Sequence, residues 1–244
     1  MIFIKAQVLP DKRFMRRLTR LSILLFSAFF VTLCSYAQDA DALIKQVRDK
    51  LNTVKDYQAE GTLVMNVSFM KVPPSAITVY FRNPDKFRIK KKDGISIVPK
   101  GGMSINLNSL FSGDAKFAAV PAGTSNFEGK TLTVVKMLPL DEQSDIVVST
   151  LYIDDKAALI RKAITTTKES GTYEIEMTYG KYASWGLPDK VVFLFNTKNY
   201  KLPKGLAFDY DTGEKPVTTD QKGRVEISYS GYVVNKGVKE EVFK

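Results

Sequence analysis

Histidine is absent from the 244-residue chain, and cysteine occurs once, at Cys34. The first absence removes the side chain that ordinarily titrates near neutral pH and serves as general base. Together the two absences exclude Ser-His-Asp and Cys-His nucleophile systems and zinc sites built on nitrogen or sulfur. A lone cysteine also rules out a disulfide within the chain, so stability has to come from an apolar core and backbone pairing. Tryptophan is nearly missing too: Trp185 stands alone in a Gly/Pro loop beside Tyr182, where it reads as a packed loop anchor.

The formal net charge is +10, and half of it lies at the N-terminus. Residues 1–37 hold six of the 36 Lys/Arg and one of the 26 Asp/Glu, leaving 30 basic and 25 acidic residues for the rest. A mildly basic remainder suits an anionic membrane surface or an acidic partner without requiring either. The lysines are scattered and no nucleic-acid-binding motif accompanies them, so nucleic acid is not expected as a partner. The run Lys90-Lys91-Lys92 reads as a solvated strand end or turn.

The basic start Met15-Arg16-Arg17-Leu18-Thr19-Arg20 leads into Leu21–Leu33, an uncharged apolar run of 13 residues. A bilayer span needs roughly 20. Ser35-Tyr36-Ala37 then offers small residues at the two positions a signal peptidase reads. This pattern is a secretory signal peptide over residues 1–37, cleaved after Ala37, with Met15 as an alternative initiator. The mature chain, 38–244, is expected to be one domain in the periplasm. The competing reading is lipidation at Cys34, which would anchor the chain to a membrane; the bulky Leu33 directly before the cysteine speaks against it.

From Asp39 to Val54 the apolar residues Leu43, Val47, Leu51 and Val54 recur at helical spacing with Ile44 beside them, opposite Lys45, Gln46, Arg48, Asp49 and Lys50. A single stripe of this kind predicts an amphipathic helix lying on another element. After Tyr57 the period becomes two. Strands are expected over 62–69, 77–82, 87–90, 132–137, 147–153, 161–167, 172–179, 191–195 and 224–232, joined by short turns such as Asn83-Pro84-Asp85. The stretch from Gly94 to Gly129 is punctuated by Gly and Pro: 103–107 reads as a strand, or 107–111 as the start of a short helix or lid. Residues 205–223 read as a long polar loop. The expected fold is mainly β: an antiparallel meander of about nine to eleven strands with one N-terminal helix.

The strand faces are rich in Phe, Met, Tyr, Leu and Val. Either they fill a closed sandwich or barrel core, or the sheet is strongly curved and unclosed and its concave face holds an apolar ligand. Methionines at 65, 103 and 177 suit a cavity that adapts to acyl chains. An unclosed sheet needs a cover for its apolar face. The N-terminal helix has the stripe for that, and the Gly-flanked segment 103–113 would serve as a second, short lid.

A known family shares this order of elements. A signal peptide precedes a helix ending in Val47-Arg48-Asp49-Lys50-Leu51-Asn52-Thr53-Val54-Lys55-Asp56-Tyr57. Tyr80-Phe81-Arg82-Asn83-Pro84-Asp85-Lys86-Phe87-Arg88 follows as strand, turn and aromatic strand; then come Leu151-Tyr152-Ile153-Asp154, Arg161-Lys162, Thr172-Tyr173-Glu174 and Leu187-Pro188-Asp189 before Phe193. Over about residues 40–232 the chain resembles the periplasmic outer-membrane lipoprotein carrier (LolA-like) superfamily. The resemblance implies an eleven-stranded curved, unclosed β-barrel covered by helices, whose cavity binds acyl chains. It implies lipoprotein acyl chains or other lipids as ligands, an inner-membrane release complex and an outer-membrane acceptor as partners, and a monomer. Candidate ligand-binding residues are Leu63, Met65, Val67, Phe69, Val79, Phe81, Phe87, Ile89, Tyr173, Ile175, Met177, Phe193 and Phe195. In the carrier an arginine just before the turn proline bonds to the lid. Here Asn83 occupies that position and Arg82 lies one residue earlier, which in a strand changes the face; Arg82 is the candidate lid latch.

The acid pairs Asp154/Asp155 and Glu174/Glu176 read as solvated charges in a turn and on a polar strand face. No catalytic residue, metal or cofactor is assigned, and the expected chemistry is binding and release. The alternative on the same fold is a non-catalytic envelope sensor or interaction module.

Overall fold

The computed structural model describes residues 40–67, 70–84, 86–92, 96–97, 116–169, 171–196 and 222–243. Helix α1 covers 40–52. Its stripe, Ala40, Leu43, Ile44 and Val47, is buried, and Leu51 packs beside it. The opposite side is polar and carries an exposed Lys45–Asp49 pair 2.6 Å apart at i,i+4 spacing. Such a pair adds only a few tenths of a kcal/mol (~0.3–0.5), so α1 is held by its apolar face.

Eleven strands follow: β1 Asp56–Val67, β2 Met70–Arg82, β3 Lys86–Lys91, β4 Ser96–Ile97, β5 Phe117–Phe127, β6 Lys130–Pro139, β7 Ile146–Asp154, β8 Leu159–Thr167, β9 Gly171–Thr178, β10 Lys190–Asn196 and β11 Lys222–Val234. They form one antiparallel sheet in the order β4-β3-β2-β1-β11-β10-β9-β8-β7-β6-β5. The sheet is curved and unclosed: β4 and β5 stand at opposite ends of the order. Every neighbour is sequential except one. β1 pairs with β11, from Tyr57 opposite Val234 to Asn66 opposite Arg224. That seam joins two arms, β1–β4 and β5–β11.

The two arms present one continuous apolar face to α1, here the inner face. Row by row it reads Met65–Val225–Phe193–Ile175–Ala163–Leu151–Val135, all paired in register across seven strands. The outer face is polar. Lys162 lies against Glu174 and 3.6 Å from Glu176, and Glu226 takes Lys190 at 2.6 Å and Arg224 at 2.8 Å. The alternation that sorts the faces is the period of the strand itself.

Two departures from the sequence expectation have physical causes. β5 was expected to be irregular because Pro121 and Gly123 interrupt it. It is an edge strand paired only with β6 among the described residues, and its register slips between Pro121 and Thr124. A bulged edge is where a strand tolerates proline. β1 begins at Asp56, earlier than the expected 62, because its inner positions there include the small residues Ala59 and Gly61, which weaken the apolar alternation. The expected strand or helix at 103–111, the lid 103–113 and the loop 205–221 lie outside the described residues. No helix among the described residues is long and apolar enough to cross a membrane.

The seam depends on two small sites. Opposite the β11 bulge, where the register slips between Glu60 and Gly61, a Cβ on Gly61 would stand 2.6 Å from the Ser228 carbonyl oxygen. At the rim, Asn235, in the left-handed region at φ 55, accepts from the Lys55 and Asp56 amides at 2.7 and 3.3 Å and donates to the Thr53 carbonyl at 2.9 Å. One side chain thereby ties the end of β11 to the junction of α1 and β1. Gly61→Ala is expected to destabilise the fold by about 1–3 kcal/mol or more through backbone overpacking, and Asn235→Ala by about 1–2 kcal/mol through lost hydrogen bonds. Both are read from the shift in chemical denaturation midpoint; values near zero would show that the seam tolerates strain.

Candidate functional site

The inner face gathers most of the residues singled out in sequence. Leu63 and Met65 of β1, Val79 and Phe81 of β2, Ile89 of β3, Tyr173, Ile175 and Met177 of β9, and Phe193 and Phe195 of β10 are all buried on it. Phe87 packs at its margin, half-buried. Phe69 and the side chain of Val67 lie outside the described residues. The β-pairing explains the grouping: Tyr173 is opposite Phe195, Ile175 opposite Phe193, and Val79 opposite Ile89.

Aromatic rings form two groups. Phe193 sits 5.2 Å from Tyr173 and 5.4 Å from Phe195, centroid to centroid. At the rim under α1, Tyr57 stacks at 5.2 Å on Phe81 and meets Tyr232 edge-on at 5.3 Å; Tyr232 also contacts Tyr229 and Tyr182 at 5.0 and 4.9 Å. Sequence reasoning did not place this rim cluster in the site. Tyr229 shares the period-two face of Val225 and Ile227, but Tyr232 falls on the other face by counting. The bulge opposite Glu60/Gly61 adds a residue to β11, setting Tyr229 opposite Gly61 and Tyr232 opposite Ala59, and so returns Tyr232 to the inner face. Gly223 supplies another unread feature: a Cβ there would lie 2.3 Å from the Phe195 ring, which therefore covers the bare backbone.

The site carries little charge. Burial pushes the phenols of Tyr57, Tyr179, Tyr229 and Tyr232 up, so all four stay neutral. Tyr232 donates to the Pro188 carbonyl at 2.6 Å and Tyr179 to the Ile160 carbonyl at 2.9 Å. Farther along the face, the hydroxyls of Ser149 and Thr165, both buried, bond to each other at 2.7 Å. These groups satisfy one another, as buried polar groups must. The described lining of the cavity under α1 includes no Lys, Arg, Asp or Glu. No group of potential metal ligands occurs among the described residues.

The free space beneath α1 is small. Between Val47, Leu51 and Val54 on one side and Met177, Val191 and Tyr229 on the other lies a cavity of about 50 Å³. A single water's share of liquid volume is about 30 Å³, so this cavity among the described residues is far smaller than an acyl chain.

Arg82 takes the other face. Its neighbour Phe81 points inward and is fully buried, while the Arg82 guanidinium reaches Glu240 at 2.5 Å and the Val238 carbonyl. Its described partners are therefore in the C-terminal segment. Two other expectations change. Asp154, read as a solvated turn charge, is largely buried between Arg161 at 3.3 Å and Lys130 at 3.4 Å. Burial opposes its charge, but the Arg161 hydrogen bond, with those of Ala157 and Lys130, holds its carboxyl below the usual range. Trp185, read as a packed anchor, is 39% exposed, because the 3₁₀ turn Ala183–Trp185 ends at the left-handed Gly186 and leaves the indole outside.

No family model matches the sequence, and no curated protein does. Solved structures do match in fold. An outer membrane lipoprotein-sorting protein domain from Vibrio parahaemolyticus superposes with a TM-score of 0.57 at 10% identity, over 85% of this chain and 97% of that one. A LolA superfamily protein from Nitrosomonas europaea gives 0.51 at 8% identity, over 82% and 96%. The fold is LolA-like. A DUF1329 family protein from Desulfovibrio piger shares it at a TM-score of 0.53 and 9% identity, over 85% and 97%. At such identities the LolA-like likeness concerns the chain's path, and residue roles have to come from the site itself.

Packing of the inner face gives a direct check. Phe193→Ala is expected to cost about 3–5 kcal/mol as a buried aromatic truncation, and Tyr232→Phe about 1 kcal/mol for the bond to Pro188. A Phe193→Ala cost below about 1 kcal/mol in denaturant unfolding, the range of loosely packed surface positions, would contradict the packing described.

Proposed function

We propose that the protein is a periplasmic carrier that holds the acyl chains of lipoproteins or other lipids between α1 and the inner face and moves them toward the outer membrane. The observation that carries this reading is the inner face itself: apolar across both arms apart from the self-satisfied Ser149–Thr165 pair, uncharged in its described cavity lining, and covered by a helix seated through one apolar stripe. The domain is residues 38–244, working as a monomer after removal of residues 1–37 as a signal; anchoring at Cys34 is the alternative. An inner-membrane release complex would load it and an outer-membrane acceptor would unload it. The ligand-binding residues are those on the inner face, Leu63 to Phe195 as named above, and no covalent step is involved.

Magnitudes support an exchange of helix for lipid. Burial of Leu43, Ile44 and Val47 is worth about 1.5–3 kcal/mol each, so withdrawing α1 costs roughly 5–9 kcal/mol. A chain that buries about ten methylenes gains about 8 kcal/mol at ~0.8 kcal/mol per CH₂. The two are of one size, so loading and release are both reachable. Release then needs a competing apolar surface on the acceptor.

A second reading keeps the fold and drops the cargo: a non-catalytic envelope sensor or interaction module. The observation that favours it is the small size of the described cavity beneath α1, about 50 Å³.

Loosening the cover separates the two. Ile44→Ala combined with Val47→Ala weakens the seat of α1 and raises the fraction of protein with an open inner face. Uptake of a fluorescent fatty-acyl probe is then expected to tighten by about 10- to 100-fold, since apparent affinity scales with the competent fraction. No uptake by either protein, with the double variant still folded by circular dichroism, would leave the sensor reading in place.

A further inference from the structure

The outer face of the β2–β3 hairpin is a ladder of cations. β3 alternates Phe87 and Ile89 inward with Lys86, Arg88 and Lys90 outward. Register sets Arg82 of β2 opposite Lys86, and Tyr80 opposite Arg88. Like charges directly across a strand pair repel, so this face calls for an anion. The chain supplies one from its own C-terminus. After Asn235 the backbone turns back over the outer face and forms the 3₁₀ turn η2, Glu240–Phe243. The Glu240 carboxylate bridges the facing cations, with Oε2 at 2.5 Å from Arg82 and Oε1 at 2.5 Å from Lys86. Arg88 donates to the Val242 carbonyl at 3.1 Å. Arg82 also donates to the Val238 carbonyl, and its guanidinium lies 5.5 Å from the Phe243 ring centre. One arginine thus reads a carboxylate, a peptide carbonyl and an aromatic ring.

The segment that makes these contacts is poorly embedded. Of residues 235–243, Val238 alone is buried, and Val242 and Phe243 are half-buried. Its ion pairs are exposed ones, and such pairs hold weakly. Beneath it lies a groove of about 270 Å³ between Gln58, Tyr80 and Val233 of the sheet and Val238, Lys239 and Val242 of the segment. An apolar cavity of about 150 Å³ already accepts benzene, so the segment leaves room for a further large side chain. A structural strap would be expected to fill that space; an occupant that can be exchanged need not.

We propose that the outer face of the β2–β3 hairpin is a docking surface for an acidic segment of a partner protein, a carboxylate followed three residues later by an aromatic ring, and that the chain's own residues 236–243 occupy it until displaced. Charge complementarity and the resident segment's contacts define the ligand: a Glu or Asp for Arg82 and Lys86, a main-chain carbonyl for Arg88, and a ring for Arg82. The surface is on the face opposite the proposed lipid site, so the two readings stand or fall separately.

The test uses the full chain and a labelled peptide of residues 236–244. Tethering holds the resident segment at an effective concentration of about millimolar, so wild type competes strongly against peptide added in trans. Glu240→Lys releases the resident segment, and the variant is expected to bind the peptide at least about 10-fold tighter than wild type by fluorescence anisotropy. Binding should weaken with salt and vanish when Lys86→Glu is added. Three results would overturn the proposal. The first is no peptide binding by a Glu240→Lys protein whose Tm matches wild type. The second is binding by that variant to phosphatidylglycerol vesicles and not to the peptide, which would assign the cations to a membrane. The third is a Tm loss in Glu240→Lys greater than about 8 °C, roughly 2–4 kcal/mol for a domain of this size, which would make the segment a structural strap.

Discussion

Everything in the molecule hangs from the pairing of β1 with β11. The remaining neighbours in the sheet are strands consecutive in sequence. Among the described strand pairings, this seam alone joins strands far apart in the chain, from Tyr57 opposite Val234 to Asn66 opposite Arg224, and so connects the two arms. It is also where the covers are attached. α1 runs directly into β1, and the C-terminal segment leaves directly from β11. Asn235 binds the α1–β1 junction from one side, while the Asp56 carboxylate accepts from the Gly237 amide at 2.9 Å on the other. The helix on the inner face and the C-terminal segment on the outer face therefore share an attachment point, although they cover opposite sides of the sheet.

On the carrier reading proposed above, one set of residues is both binding surface and core. Its rows are packed and largely buried, as a core requires. Yet part of what buries them is a single-stripe helix whose burial energy is of the size an acyl chain can replace. A face covered by a sheet-on-sheet layer would be committed to core. A face covered by one short helix is committed to whatever apolar partner competes best. The polar groups follow the same logic: tyrosines kept neutral by burial, Tyr179 and Tyr232 among them bonded to carbonyls, and a Ser149–Thr165 pair that satisfies itself. None of them places a charge in the described cavity lining.

Much of the architecture was legible in the chain. The change from helical period to period two after Tyr57 marked the helix and the meander, and the alternation of Leu63/Met65, Phe87/Ile89, Tyr173/Ile175/Met177 and Phe193/Phe195 marked the inner face. Three things were not legible, each for a reason. Small inner residues, Ala59 and Gly61, hid the first half of β1. A bulge returned Tyr232 to the inner face against the count, and with it the rim cluster around Tyr57. The partners of Arg82 and Asp154 lay far away in sequence or across a turn, where residue spacing carries no information: Glu240 is 158 positions from Arg82.

The most direct measurement of the carrier reading is native mass spectrometry of the protein recovered from the cells that make it, before and after extraction with organic solvent. The expected result is a bound lipid or acylated peptide of discrete mass that extraction removes. A protein that arrives empty, and that takes up no acyl chain after extraction, would contradict it and turn the inner face into closed core.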